Sequence, residues 1–132
     1  RDYSMFYELT TKKPIDEVIS NIQELAPAKG FSILHHYDFF TILEGKGFPI
    51  ERNVWTFEIC RASMASKILT HFPIFSTMMP CRISVYEEDH KTHIATMDMM
   101  PMLELLKDND GLFQEARALY LQLTELMETL AL

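Results

Sequence analysis

The chain is short of cysteine, of basic residues and of long apolar runs, and each shortage removes a class of protein. Two cysteines in 132 residues are too few for a disulfide scaffold, although a single bridge in an oxidising compartment stays open. The 12 Lys and Arg stand against 19 Asp and Glu, a formal net charge of −7. No basic stripe gathers that would displace counterions from phosphates, which argues against a nucleic-acid partner. No apolar run approaches the roughly 18 residues a spanning helix needs, so membrane insertion is not expected. Nor does a basic start lead into an apolar segment and a small-residue cleavage site, so no signal peptide is visible. The first residue is Arg1 rather than methionine. The chain is therefore read as processed, or as a piece of a longer protein, soluble and either periplasmic or cytoplasmic.

What is present is enough for one core. At 48% hydrophobic and 11% aromatic residues, residues 1–132 read as a single domain, and 23% charged residues without a low-complexity tract argue against disorder. Tyr3 to Leu9 reads as a strand. Pro14 suits the first turn of a helix whose apolar stripe is Ile15, Val18, Ile19, Ile22 and Leu25, and Gly30 supplies the stop. Phe31 to Phe39 returns to a strand, with Phe31, Ile33, Tyr37 and Phe39 on one face and Leu34 on the other. Gly45-Lys46-Gly47-Phe48-Pro49 reads as a mobile loop. Asn53 to Cys60 is a central strand, followed by a short helix burying Met64, Ala65, Ile68, Leu69 and Phe72 and ending at Pro73. Cys81–Tyr86 and Thr92–Met97 form a hairpin around Glu87 to Lys91. Asp98 caps a turn through Leu106, and Asp108-Asn109-Asp110-Gly111 breaks the chain before a last helix. That helix carries Leu112, Ala116, Leu119, Tyr120, Leu123, Leu126, Met127 and Leu130 on one stripe. The order β-α-β-β-α-β-β-α indicates an α+β fold: a single mixed or antiparallel sheet with helices packed on one face.

The residues that carry chemistry are few. Cys60 and Cys81 each sit at a strand edge and each is followed by an arginine, Arg61 and Arg82, whose charge favours thiolate. Four readings stand for the pair: a soft-metal site, a redox couple, a nucleophile, or two small buried hydrophobes. The close-spaced ligand pairs of a structural zinc site are absent. His35 shares a face with Phe31, Ile33 and Tyr37, which reads as a core histidine, and Asp38 falls on the opposite face, so the two do not make a dyad. His90 and His93 flank the hairpin tip and read as solvent-exposed. Of nine methionines, Met97, Met99, Met100 and Met102 cluster at one strand-to-helix joint, and Met78 and Met79 precede Cys81. Thioether and thiolate donors suit Cu(I), which makes copper the sharpest metal hypothesis; methionine is equally an adaptable filler of cores and partner surfaces. The Asp108 to Gly111 segment fails the calcium-loop register. Gly45-Lys46-Gly47 lacks the full phosphate-loop pattern, and no local signature assembles a Ser-His-Asp triad.

Several of these residues also form an ordered pattern. It runs from Gly30-Phe31 through a strand with His35 and Asp38, then Lys46-Gly47, Glu58-Ile59-Cys60 and Ala65, to the stretch Met79-Pro80-Cys81-Arg82-Ile83-Ser84-Val85-Tyr86-Glu87. In this the chain resembles the domain of unknown function family numbered 302, most strongly over residues 30–97. The resemblance implies an α+β, TATA-binding-protein-like fold and small, often homodimeric domains without an established activity. Two departures stand out: Arg61-Ala62 follows the first cysteine where Asn-Pro is usual, and His90 replaces the hairpin glycine. The expectation is a small ligand- or metal-binding homodimeric module. Its site lies where Cys60, Cys81 and His35 meet, with Arg82, Asp38, Lys46 and Gly47 as walls and Met79, Met97 and Met99 as further soft-metal ligands. A thiol-based redox or nucleophilic enzyme, and a non-catalytic interaction domain, are the alternatives.

Overall fold

A computed structural model describes residues 3–132. Five strands, β1 (Phe6–Thr11), β2 (Ser32–Asp38), β3 (Val54–Cys60), β4 (Cys81–Glu88) and β5 (Lys91–Met97), form one sheet. Its order is β1-β5-β4-β3-β2, with every neighbouring pair antiparallel. Five α-helices connect or follow the strands: α1 (Ile15–Ala28), α2 (Phe39–Gly45), α3 (Ala62–His71), α4 (Met100–Leu103) and α5 (Asp110–Ala131). Short 3-10 turns occupy Pro73–Thr77 and Glu104–Leu106. The architecture is α+β, and the sheet is wholly antiparallel rather than mixed.

Local signals explain the boundaries. Pro14 precedes α1 as its cap residue rather than entering its first turn. At the other end Phe31 N–H donates to Ala26 O and Gly30 N–H to Pro27 O, with Gly30 at φ +84°: a Schellman stop that only a residue without a β-carbon adopts at little cost. The Asn109 side chain accepts from Leu112 N–H at 3.2 Å and starts α5. Asp98 accepts from Met100 N–H at 2.9 Å in an Asx turn one residue ahead of Met99, which is the cap residue of α4.

Alternation along the strands divides the sheet into two faces. Phe57 and Ile59 of β3, Ile83 and Val85 of β4 and Ile94 of β5 are buried on one face. They join Ile15, Val18, Ile19 and Ile22 of α1, Met64 and Ile68 of α3, and Leu112, Ala116, Tyr120, Leu123, Leu126, Met127 and Leu130 of α5 in one core. The last helix therefore buries the stripe that its period predicts, Leu119 being only half-buried. The opposite face carries no helix of that layer. Its middle row runs Glu8, Ala95, Ser84, Thr56, Tyr37 across the five strands.

Three segments depart from expectation. The strand after Gly30 stops at Asp38, and Phe39–Gly45 is a helix, because the Asp38 side chain accepts from Thr41 N–H at 3.2 Å and from the Thr41 hydroxyl at 2.7 Å. That cap outweighs the strand preference of Phe39, Phe40, Thr41 and Ile42. Second, β2 carries an irregularity between Ile33 and His35. The extra residue reverses the alternation, so Ile33 and His35 do not share a face. Third, the β4–β5 hairpin is tighter than expected: Asp89 and His90 alone form its turn, at φ +54° and +60°, the signature of a type I′ turn.

Candidate functional site

Cys60 ends β3 and Cys81 opens β4, and the antiparallel register places Cys81 opposite Ile59. Both thiols are free. They line one small cavity under the sheet, together with Met64, Met79, Met99 and Met102. The cavity, also walled by Phe31, Ile59, Leu103 and Leu123, measures about 40 Å³. This is room for a few atoms, far below the roughly 300 Å³ at which organic ligand pockets begin. Cys81 Sγ lies 3.7 Å from Met99 Sδ, the thiol donating to the thioether. Two of the three methionines expected as soft-metal ligands, Met79 and Met99, are thus brought to the cysteines by packing. Met97 is exposed on the other face of the sheet.

The expected arginine effect does not operate at Cys81. Burial pushes its thiol up to about 11, the nearby Cys60 adds to the rise, and Arg82 opposes it without prevailing. Alternation explains why: Arg82 points to the open face, where it pairs with Glu58 at 3.1 Å. Arg61 is likewise occupied elsewhere. Its guanidinium donates to Lys29 O at 2.8 Å and to Gln122 Oε1, and lies 4.6 Å over the Phe31 ring. This arginine ties the end of α1 to α5. The raised pKa favours the protonated thiol of Cys81 at neutral pH.

The remaining expected wall residues lie apart from the cavity. His35 is exposed rather than buried in the core, because the irregularity at Leu34 turns it to the open face, where it meets Tyr37 at 5.2 Å between ring centroids. Asp38 is committed to capping α2. Lys46 and Gly47 are exposed beyond that helix, Gly47 at φ +83°. Among the described residues, no group of three or more His, Cys, Asp or Glu converges on a metal-sized space.

A second assembly, on the open face, escaped the sequence reading. His93, expected in solvent, is buried. Its Nδ1 pairs with Glu8 Oε1 at 3.0 Å and its Nε2 with Glu88 O at 3.1 Å. The Tyr86 ring stacks on it at 4.8 Å and 11°, and the Tyr86 hydroxyl donates to Glu8 Oε2 at 2.8 Å. Burial works to raise the Glu8 carboxyl, but the hydrogen bonds from His93 and Tyr86 outweigh it and hold the group below its usual range. The tyrosine hydroxyl is pushed up by burial and by that carboxylate. Beside this cluster an open well of about 370 Å³ has Ala95 and Ser84 on its floor and Tyr3, Phe6 and Tyr86 around it. The one signal in the sequence was the strand period that puts Tyr86 opposite His93.

The fold and the two assemblies define a small antiparallel α+β domain with a buried sulfur-lined cavity beneath its sheet. The family described as "Domain of unknown function DUF302" matches residues 7–130, and the chain belongs to it. Among solved structures it is similar to an uncharacterized conserved DUF302 protein from Bacillus stearothermophilus. The two share 20% identity at a TM-score of 0.82, covering 94% of this chain and 96% of that one; at that identity the likeness shows the fold. No curated protein matches the chain. Among the described residues, no helix is long and apolar enough to cross a membrane.

Proposed function

We propose that this domain binds a single soft metal ion, Cu(I), through sulfur, with Cys81 and Met99 as the central donors and Cys60 and Met79 completing the set. The observation that carries this reading is the 3.7 Å separation of the Cys81 and Met99 sulfurs. Two sulfurs bound to one metal at about 2.3 Å in tetrahedral geometry lie about 3.8 Å apart. The donor set supports the choice of metal, since thioethers with thiolates select Cu(I) over harder ions. The size of the cavity supports an ion rather than an organic molecule.

Binding replaces the thiol proton: Cys81 S–H and Cu(I) give the Cys81 thiolate–Cu(I) bond, and the proton leaves to solvent. Affinity therefore rises with pH below the thiol's pKa. Titration of the reduced protein with Cu(I) against a coloured chelator tests the reading. Retention of about one equivalent by the wild type, lost in Cys81→Ser, is the expected result. No retention by the wild type overturns it.

A further inference from the structure

The open face of the sheet carries a site unrelated to the cysteines. Its floor is the small pair Ala95 and Ser84, neighbours on β5 and β4, so the sheet surface is depressed where larger side chains surround it. Tyr3, Phe6 and Tyr86 bring three aromatic rings to the rim. Tyr3 and Phe6 meet edge to face at 6.1 Å, and both are more than two-fifths exposed, a large apolar surface to leave in water. At about 370 Å³ the well is the size of a small-molecule site.

Its described lining carries one charge of each sign, Arg82 and Glu8, and the two differ in their partners. Arg82, the one cation lining it among the described residues, is engaged by Glu58 at 3.1 Å. Glu8 is held in place by His93 and Tyr86, and a carboxylate oxygen has acceptor capacity beyond one bond. Aromatic faces attract cations through their quadrupoles, and an organic ammonium group gains most where rings and a carboxylate surround it. The formal charge of −7 on the chain raises the local concentration of cations further.

We infer that this well binds a small primary ammonium ion with an apolar body, its charged head toward Glu8 and its body against Phe6 and Met97. This rests on the sheet face alone and stands or falls independently of copper.

Three probes with the same ring and different charge test it: benzylammonium, benzyl alcohol and benzoate, titrated at pH 7 into isotope-labelled protein and followed through backbone amide shifts. Benzylammonium is expected to shift Glu8, Ser84 and Ala95 and to bind at least tenfold more tightly than benzyl alcohol, with benzoate weakest. Glu8→Gln should erase the preference over benzyl alcohol. Phe6→Leu, on the exposed rim, should weaken benzylammonium several-fold with the rest of the spectrum unchanged, and Ala95→Leu should fill the floor and remove binding. The inference is overturned if benzoate binds as tightly as benzylammonium, or if no probe binds. It is also overturned if Ala95→Leu leaves benzylammonium affinity unchanged, or if sedimentation shows a dimer that Ala95→Leu converts to monomer, the well then being an interface between copies of the chain.

Discussion

Cys81 and Met99 are 18 residues apart in the chain and 3.7 Å apart at their sulfurs. The contact joins the first residue of β4 to the residue that precedes α4, so it depends on how the helical segment after β5 folds back beneath the sheet. Replacing Met99 with leucine keeps its volume and removes only the donor. Such a swap costs less than about 1.5 kcal/mol of stability. Cu(I) affinity, read by chelator competition, should fall at least tenfold in Met99→Leu while the urea midpoint stays close to that of the wild type.

The Cys81 thiol gives a stability signature on the alkaline side. Its pKa is about 11 when folded against an ordinary value of 9.0, so the unfolded chain surrenders this proton at lower pH than the folded one. Between those values the folded state holds the extra proton, and stability falls as pH rises. Below pH 9 the contribution is fully present. Urea melts at pH 8, 9 and 10 should show a decline that is steeper in the wild type than in Cys81→Ser. That comparison separates the thiol from the tyrosines, whose hydroxyls are also raised.

Arg61 is the fastener between two helices. Truncation to alanine removes its bonds to Lys29 O and Gln122 Oε1 and uncovers the Phe31 ring. A loss of about 1–2 kcal/mol is expected from the hydrogen bonds and the cation–π contact together, measured by urea unfolding. Lysine cannot reproduce the forked, stacked geometry and should recover little of that loss.

His90 holds φ at +60° in the hairpin turn, a conformation that costs a non-glycine residue about 1 kcal/mol or more. Its side chain is exposed. His90→Gly should therefore raise stability by up to about 1 kcal/mol in thermal or urea melts, less the entropy a glycine adds to the unfolded chain.

The particular residues show where the sequence was legible. The last helix was, because a 3.6-residue period sustained over 22 residues leaves one arrangement for its apolar side chains. The central strands were, as short runs of bulky and β-branched side chains bounded by turn residues. The edge strand was not: one extra residue at Leu34 reverses every later assignment, and nothing local announces it. The helix at Phe39–Gly45 was hidden because its residues favour strands and only the Asp38 cap commits them. Of the cavity, the cysteines and three of its methionines, Met79, Met99 and Met102, were visible as types, but their convergence is tertiary. Glu8 and His93 lie 85 residues apart, and no spacing rule joins them. The arginine effect at Cys81 failed on geometry, since adjacent residues in a strand point to opposite sides.

The irregularity at Leu34 has one more consequence. β2 is an outer strand of the sheet, and a regular outer strand offers its unpaired amides and carbonyls to any passing chain. A local kink there spoils the straight template that fibril growth requires. The residue that turns His35 to the open face therefore makes this edge a poorer template for an added strand.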